Sequence, residues 1–142
     1  MPEDEKEHFL NRLSKTLPIL EKVKKNESKL VISSTSWTKD EDFSILLDAL
    51  VAADDILNNS TSLRATKLAV LITGKGPEKA FYLAKIGRLS LKNIEIATPW
   101  LEADDYPRLL GCAHLGISLH SSSSGVDLPM KARVIQCIGL IL

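Results

Sequence analysis

The residues best placed to do chemistry run from Ser118 to Lys131, SLHSSSSGVDLPMK. A serine-rich loop, one glycine and an Asp-Leu-Pro helix start make a setting for an anion. Amides at a helix start are unpaired, and the helix dipole favours negative charge there. Ser121, Ser122, Ser123 and Ser124 add hydroxyl donors, Gly125 lets the backbone come close, and Lys131 brings a positive charge about one turn into the helix. The expectation is a diphosphate held at this loop. A surface turn that merely caps a helix is the other reading of the same residues.

Three further loops share that character. Leu30 to Ser33 is a short apolar run that opens into SSTSW, and Lys67 to Thr73, KLAVLIT, breaks at Gly74-Lys75-Gly76-Pro77. Ile94 to Thr98 runs into Pro99-Trp100-Leu101, and Leu115 to Leu119 runs into His120 and the serines. GKGP lacks the later Gly-Lys-Ser/Thr of a Walker loop, so a glycine pair after a strand is a weak phosphate signal, and a tight turn serves equally.

Each of these runs reads as a strand followed by a helix. KLAVLIT is apolar without alternation, as in a strand buried on both faces of a parallel sheet. Thr38 stands at capping-box spacing before Glu41, and Phe43, Leu46, Leu47, Leu50, Ala53 and Leu57 share one helical face. Pro77 fits the first helical position, with Phe81, Ala84, Ile86 and Leu89 as the apolar side of its helix. Asp104 or Asp105 can cap a helix containing Leu109 and Leu110, with Pro107 tolerated in its first turn. Ahead of all this, residues 3–25 form a charged amphipathic helix carrying Phe9, Leu10, Leu13, Leu17 and Leu20, interrupted near Pro18. The division expected is a charged helical lead-in, 1–28, and a nucleotide-sugar-binding domain, 29–142.

Strands alternating with helices, without hairpin signals, predict an α/β fold with a Rossmann-like parallel sheet. Such sheets bind ligands beyond the carboxyl ends of their strands, where all four loops would lie.

Composition narrows the classes. The chain has 142 residues, 44% hydrophobic and 25% charged, with a formal net charge of zero. That gives no basic surface for nucleic acid. Cys112 and Cys137 have neither metal nor redox spacing and read as reduced, buried thiols. No cofactor or metal is expected. The polar, acidic start is not a secretory signal, and no apolar run approaches the roughly 20 residues needed to span a bilayer. Asn26, Asn58 and Asn59 begin glycosylation sequons of a kind common by chance.

VISSTSWTKDEDFSILLDAL, LITGKGP, TPWLEADDYPRLLG and SSSGVDLPMK occur here in an order that resembles the eukaryotic chitobiosyldiphosphodolichol beta-mannosyltransferases, from about Leu30 to Lys131. The resemblance implies the C-terminal, donor-binding domain of a two-domain GT-B glycosyltransferase. That family transfers mannose from GDP-mannose to dolichol-diphosphate-linked chitobiose with inversion, at the cytosolic face of the endoplasmic reticulum, in N-glycan precursor assembly. By resemblance Gly74, Lys75 and Gly76 line the donor cleft, and Ser121 to Gly125 with the helix start near Leu128 hold the diphosphate. Thr98 to Leu101, including Trp100, lie near the base. His120 contacts sugar or phosphate, or is structural, and Lys131 meets phosphate.

The chain departs from the family at both ends. By resemblance, the acceptor domain and membrane anchor are expected to be missing from this stretch, and after Lys131 it reads ARVIQCIGLIL, with no carboxylate after Asp127 to meet the ribose or sugar. The expectation is an incomplete donor domain, inactive by itself, whose dolichol-linked acceptor would bind through the missing domain. The alternative is a non-catalytic truncated paralogue or fragment that binds weakly or acts as an interaction module. No residue stands out as a catalytic base; Asp104 and Asp105 read better as helix caps.

Overall fold

The computed structural model describes residues 2–25, 27–34, 43–60, 67–74, 76–101 and 104–117. Their order is α1 (Glu3–Ser14), α2 (Leu20–Lys24), β1 (Ser28–Ser34), α3 (Phe43–Asn59), β2 (Lys67–Thr73), α4 (Lys79–Gly87), β3 (Ile94–Ala97), α5 (Asp105–Cys112) and β4 (Leu115–Ile117). The described strands form one sheet in the order β3-β2-β1-β4, and every pair is parallel. The chain therefore steps outward from β1 to β3, then returns across the sheet to place β4 on the other side of β1. That reversal puts a topological switch point between β1 and β4.

The two inner strands explain their own apolar runs. Alternate side chains of a strand point to opposite faces, so a strand covered on both sides must be apolar throughout. On one face Val31, Leu68, Val70 and Ile72 pack with Leu46, Leu47, Leu50, Ala53 and Leu57 of α3 and with Tyr82 of α4. On the other, Leu30, Ile32, Ala69 and Leu71 pack with Phe9, Leu10 and Leu13 of α1, Leu20 and Val23 of α2, and Leu109 and Cys112 of α5. Each fully buried Leu or Ile contributes about 1.5–3 kcal/mol of transfer free energy. The break between α1 and α2 spans Pro18, which makes turns there rather than helix.

Several local expectations need correcting. Pro77 is not the first helical residue: it lies in a turn, and α4 begins at Lys79 after Glu78. The buried side of α4 is accordingly Tyr82, with Ile86 and Leu89 partly buried behind it, while Phe81 stands in solvent and Ala84 is exposed. Phe81 meets Tyr82 edge-on, with ring centroids 5.2 Å apart, and Lys85 lies over its ring. Neither aspartate caps α5 as expected. Asp104 occupies the N-cap without a side-chain capping bond, and the Asp105 carboxylate accepts from Arg12 Nη2 of α1 at 2.7 Å. The expected Thr38–Glu41 cap lies outside the described residues.

One acidic side chain on the buried face of α3 holds β3 in place. Asp54 accepts from Asn93 N–H at 2.7 Å and from Lys92 N–H at 3.1 and 3.2 Å. The Asn93 carbonyl in turn accepts from Leu68 N–H at 2.9 Å, and its side-chain oxygen accepts from Lys67 Nζ at 3.0 Å. This knot fixes where β3 starts against β2, and so where its far end emerges.

Candidate functional site

A parallel sheet sends all its strands out at one edge. Here the register brings those exits nearly level: Ser34 pairs with Thr73, Ala97 with Leu71, and Ile117 with Ser33. At about 3.3 Å per residue and about 4.8 Å between strands, the four exits occupy a strip roughly 14 Å wide. The loops read from the sequence therefore begin at one rim. The ends of β1 and β4 flank the switch point; residues 35–42 and 118–131 lie outside the described set.

Gly74 leaves β2 at φ 129°, a backbone conformation that side-chain-bearing L-residues rarely adopt. It and Gly76 are partly buried, and the Gly76 carbonyl accepts from Lys79 N–H at 3.4 Å as α4 begins. This turn brings the start of α4 to the rim, and Glu78 offers that helix start no side-chain cap. Thr98 to Leu101 leaves β3 next to it. Leu101 packs into the α1/α5 core, whereas Trp100 is 65% exposed. An anchored leucine beside an outward indole presents a flat apolar face at the rim, suited to stacking on a planar group. The start of α5 is less hospitable to an anion, because Asp104 and Asp105 stand there.

Of the residues expected to bind the donor, Gly74, Gly76 and Trp100 are brought to this rim. Lys75, His120, Ser121, Ser122, Ser123, Ser124, Gly125 and Lys131 lie outside the described residues. Below the rim, Ser33 is buried and its Oγ donates to the Ile117 carbonyl at 2.9 Å, tying the exits of β1 and β4 together across the switch point.

The clefts formed by described residues alone lie elsewhere. One of about 430 Å³ is lined by Asp4, Glu5, His8, Phe9, Arg12 and Arg108. Another, about 440 Å³, includes Glu3, Lys6, Glu7, Lys24 and His114. Both mix charges of either sign and make poor anion sites. Among the described residues no group of three or more His, Cys, Asp or Glu is set to hold a metal, and no helix is long and apolar enough to cross a membrane.

Sequence reasoning passed over two polar residues, Asp54 and His114. Asp54 was visible as the lone acid on the apolar face of α3, next to Ala53 and one turn before Leu57. His114 gave no such signal. It precedes β4, where Leu30 N–H donates to its Nδ1 at 2.9 Å. Partial burial, helped by Lys29 and Lys6, moves its pKa below the usual imidazole value. Cys112 is a buried free thiol whose pKa burial raises.

No protein-family model matches the chain, and no solved structure matches it. Curated sequences do. A chitobiosyldiphosphodolichol beta-mannosyltransferase of Dictyostelium discoideum is 51% identical over 130 residues, covering 83% of this chain and 26% of the relative. The human protein of the same name is 50% identical over 113 residues, covering 80% and 24%. An Arabidopsis thaliana protein named UDP-glycosyltransferase TURAN is 49% identical over 120 residues, covering 77% and 26%. The chain thus spans about a quarter of the length of the relatives it matches. Identity near one half, held over most of this chain against proteins from an amoeba, an animal and a plant, places the matched stretch in the chitobiosyldiphosphodolichol beta-mannosyltransferase family.

Proposed function

We propose that this chain supplies donor binding for a mannosyl transfer from GDP-mannose to a chitobiosyl-diphosphodolichol acceptor, as part of a GT-B glycosyltransferase at the cytosolic face of the endoplasmic reticulum. The observation that carries the reading is the common rim. Gly74, Gly76 and Trp100 stand at the edge where β4 ends at Ile117, four residues before Ser121 in the sequence. In this proposal Gly74, Lys75 and Gly76 line the donor cleft and Trp100 stacks near the base. Ser121 to Gly125 and Lys131 grip the diphosphate, with His120 at the sugar or a phosphate.

The chemistry asked of these residues is electrostatic. Transfer leaves a nucleoside diphosphate, whose growing charge is stabilised by preorganised amides and hydroxyls aimed at the phosphate oxygens. The base that deprotonates the acceptor hydroxyl is assigned to no residue of this chain. The chain alone is therefore expected to bind donor without turnover.

Melting temperature measured against GDP, GDP-mannose, UDP and ADP tests this. Ligand that binds only the folded state raises the midpoint. A shift with GDP and GDP-mannose that exceeds those with UDP and ADP supports the assignment. A larger UDP shift would move it to a uridine donor, the class named for the Arabidopsis relative. No shift with any nucleotide would remove donor binding. Turnover of a lipid-linked chitobiose analogue by this chain alone would contradict the binding-only role.

A further inference from the structure

At the amino end of the sheet stands a fastening that the proposed function does not use. Among the described residues β4 is an edge strand of three residues, paired to β1. Its entry is fixed by a two-way exchange: His114 N–H donates to the Leu30 carbonyl at 2.8 Å, and Leu30 N–H donates to His114 Nδ1 at 2.9 Å. Its exit is fixed by Ser33 Oγ on the Ile117 carbonyl. The first of these clamps contains a titratable group and the second does not.

An imidazole accepts at Nδ1 only when neutral, with its proton on Nε2. Among the described residues the charged groups around the ring come from three elements. Lys29 is on β1; Glu3, Lys6 and Glu7 are on α1; Lys24 is on α2. Lys29 and Lys6 oppose a charge on the ring, and Lys24 is engaged with Glu21 at 3.4 Å. Cys112 at the end of α5 and Ala113 after it bring no charge. The Leu30 amide has no route to solvent on its own residue, which is fully buried.

We propose that His114 is an acid-sensitive latch on β4. A proton on Nδ1 turns the acceptor into a donor facing the Leu30 N–H and adds a cation beside Lys29 and Lys6. The three-residue ladder then loosens while the seven-residue β1–β2 ladder stays paired. The sign follows from the favoured neutral ring: its contribution is present above the ordinary imidazole pKa and is lost as pH falls through the lowered folded value. This inference stands independently of the donor-site reading.

Amide hydrogen exchange of the full chain between about pH 7.5 and 5, with the His114 ring followed by NMR, tests it. After correction for intrinsic exchange, protection of the Leu30 and His114 amides and of those in β4 should fall roughly three- to tenfold as the ring titrates. Amides of β2 should hold. His114→Asn places an oxygen where Nδ1 sits without a titrating proton, so its β4 protection should stay high at both ends. His114→Phe should be low at both. Constant β4 protection through the ring titration would overturn the latch. Equal acid loss in His114→Asn would do so too, because the titrating group would then be another.

Discussion

Replacing Asp54 with alanine removes the acceptor of two backbone amides at the start of β3. Asn93 is buried, so its N–H, now 2.7 Å from a carboxylate, would lose its partner away from water at about 1–3 kcal/mol. Lys92 is exposed, so its N–H can turn to solvent and costs about 0.5–1 kcal/mol. Relief from burying the carboxylate offsets part of this. The net expectation is about 2–3 kcal/mol. Asp54→Asn keeps one oxygen for Asn93 but sets an NH₂ toward Lys92, so it should lose about half as much. Urea unfolding reads both. With a slope of roughly 1–3 kcal/mol/M, the alanine variant should unfold about 0.7–3 M earlier at an unchanged slope. A loss below about 0.5 kcal/mol, or equal losses for Asn and Ala, would refute the view that this carboxylate sets the start of β3.

Gly74→Ala forces a side chain onto φ 129° and should cost about 1–3 kcal/mol in the same assay; an unchanged midpoint would show that the turn relaxes freely. Burial raises the Cys112 pKa, so the neutral thiol is favoured in the fold, and that contribution holds below the ordinary thiol value and fades as pH rises through the folded one. Iodoacetamide at about pH 8.5, with peptides mapped by mass, should therefore label Cys112 at least tenfold more slowly in native than in denatured chain, and equal rates would contradict its burial. Lys131→Ala should raise the GDP dissociation constant about tenfold by removing a charge-assisted phosphate contact, without lowering the melting temperature of the free chain; unchanged affinity would remove Lys131 from the site.

The sheet was legible because its signals are redundant. KLAVLIT is apolar at every position from Leu68 to Ile72, and only a strand covered on both faces asks for that. α3 announced itself by the spacing of Leu46, Leu50, Ala53 and Leu57. The parallel direction followed from helices between strands, and with it the shared edge of the loops. What misled was phase. Pro77 looked like a helix start, but the turn continues through Glu78 and α4 begins at Lys79, and Tyr82 rather than Phe81 faces the core. Asp104 and Asp105 had the right types for a cap, yet Arg12, distant in sequence, claims Asp105. His114 could not be foreseen at all, because its partner is a backbone amide of β1. For the site, the rim and the positions of Gly74, Gly76 and Trp100 follow from strand order. The loop from His120 to Gly125 was read from local composition and lies outside the described residues.

The most direct test is a footprint of GDP-mannose on the amides of the folded chain, by NMR shift or hydrogen exchange. Changes are expected at Gly74 and Gly76, at Thr98, Trp100 and Leu101, and through residues 118–131, with Lys29, Lys67 and His114 at the opposite edge unmoved. Changes centred on that opposite edge, or on the clefts beside α1, would contradict a donor site at the rim.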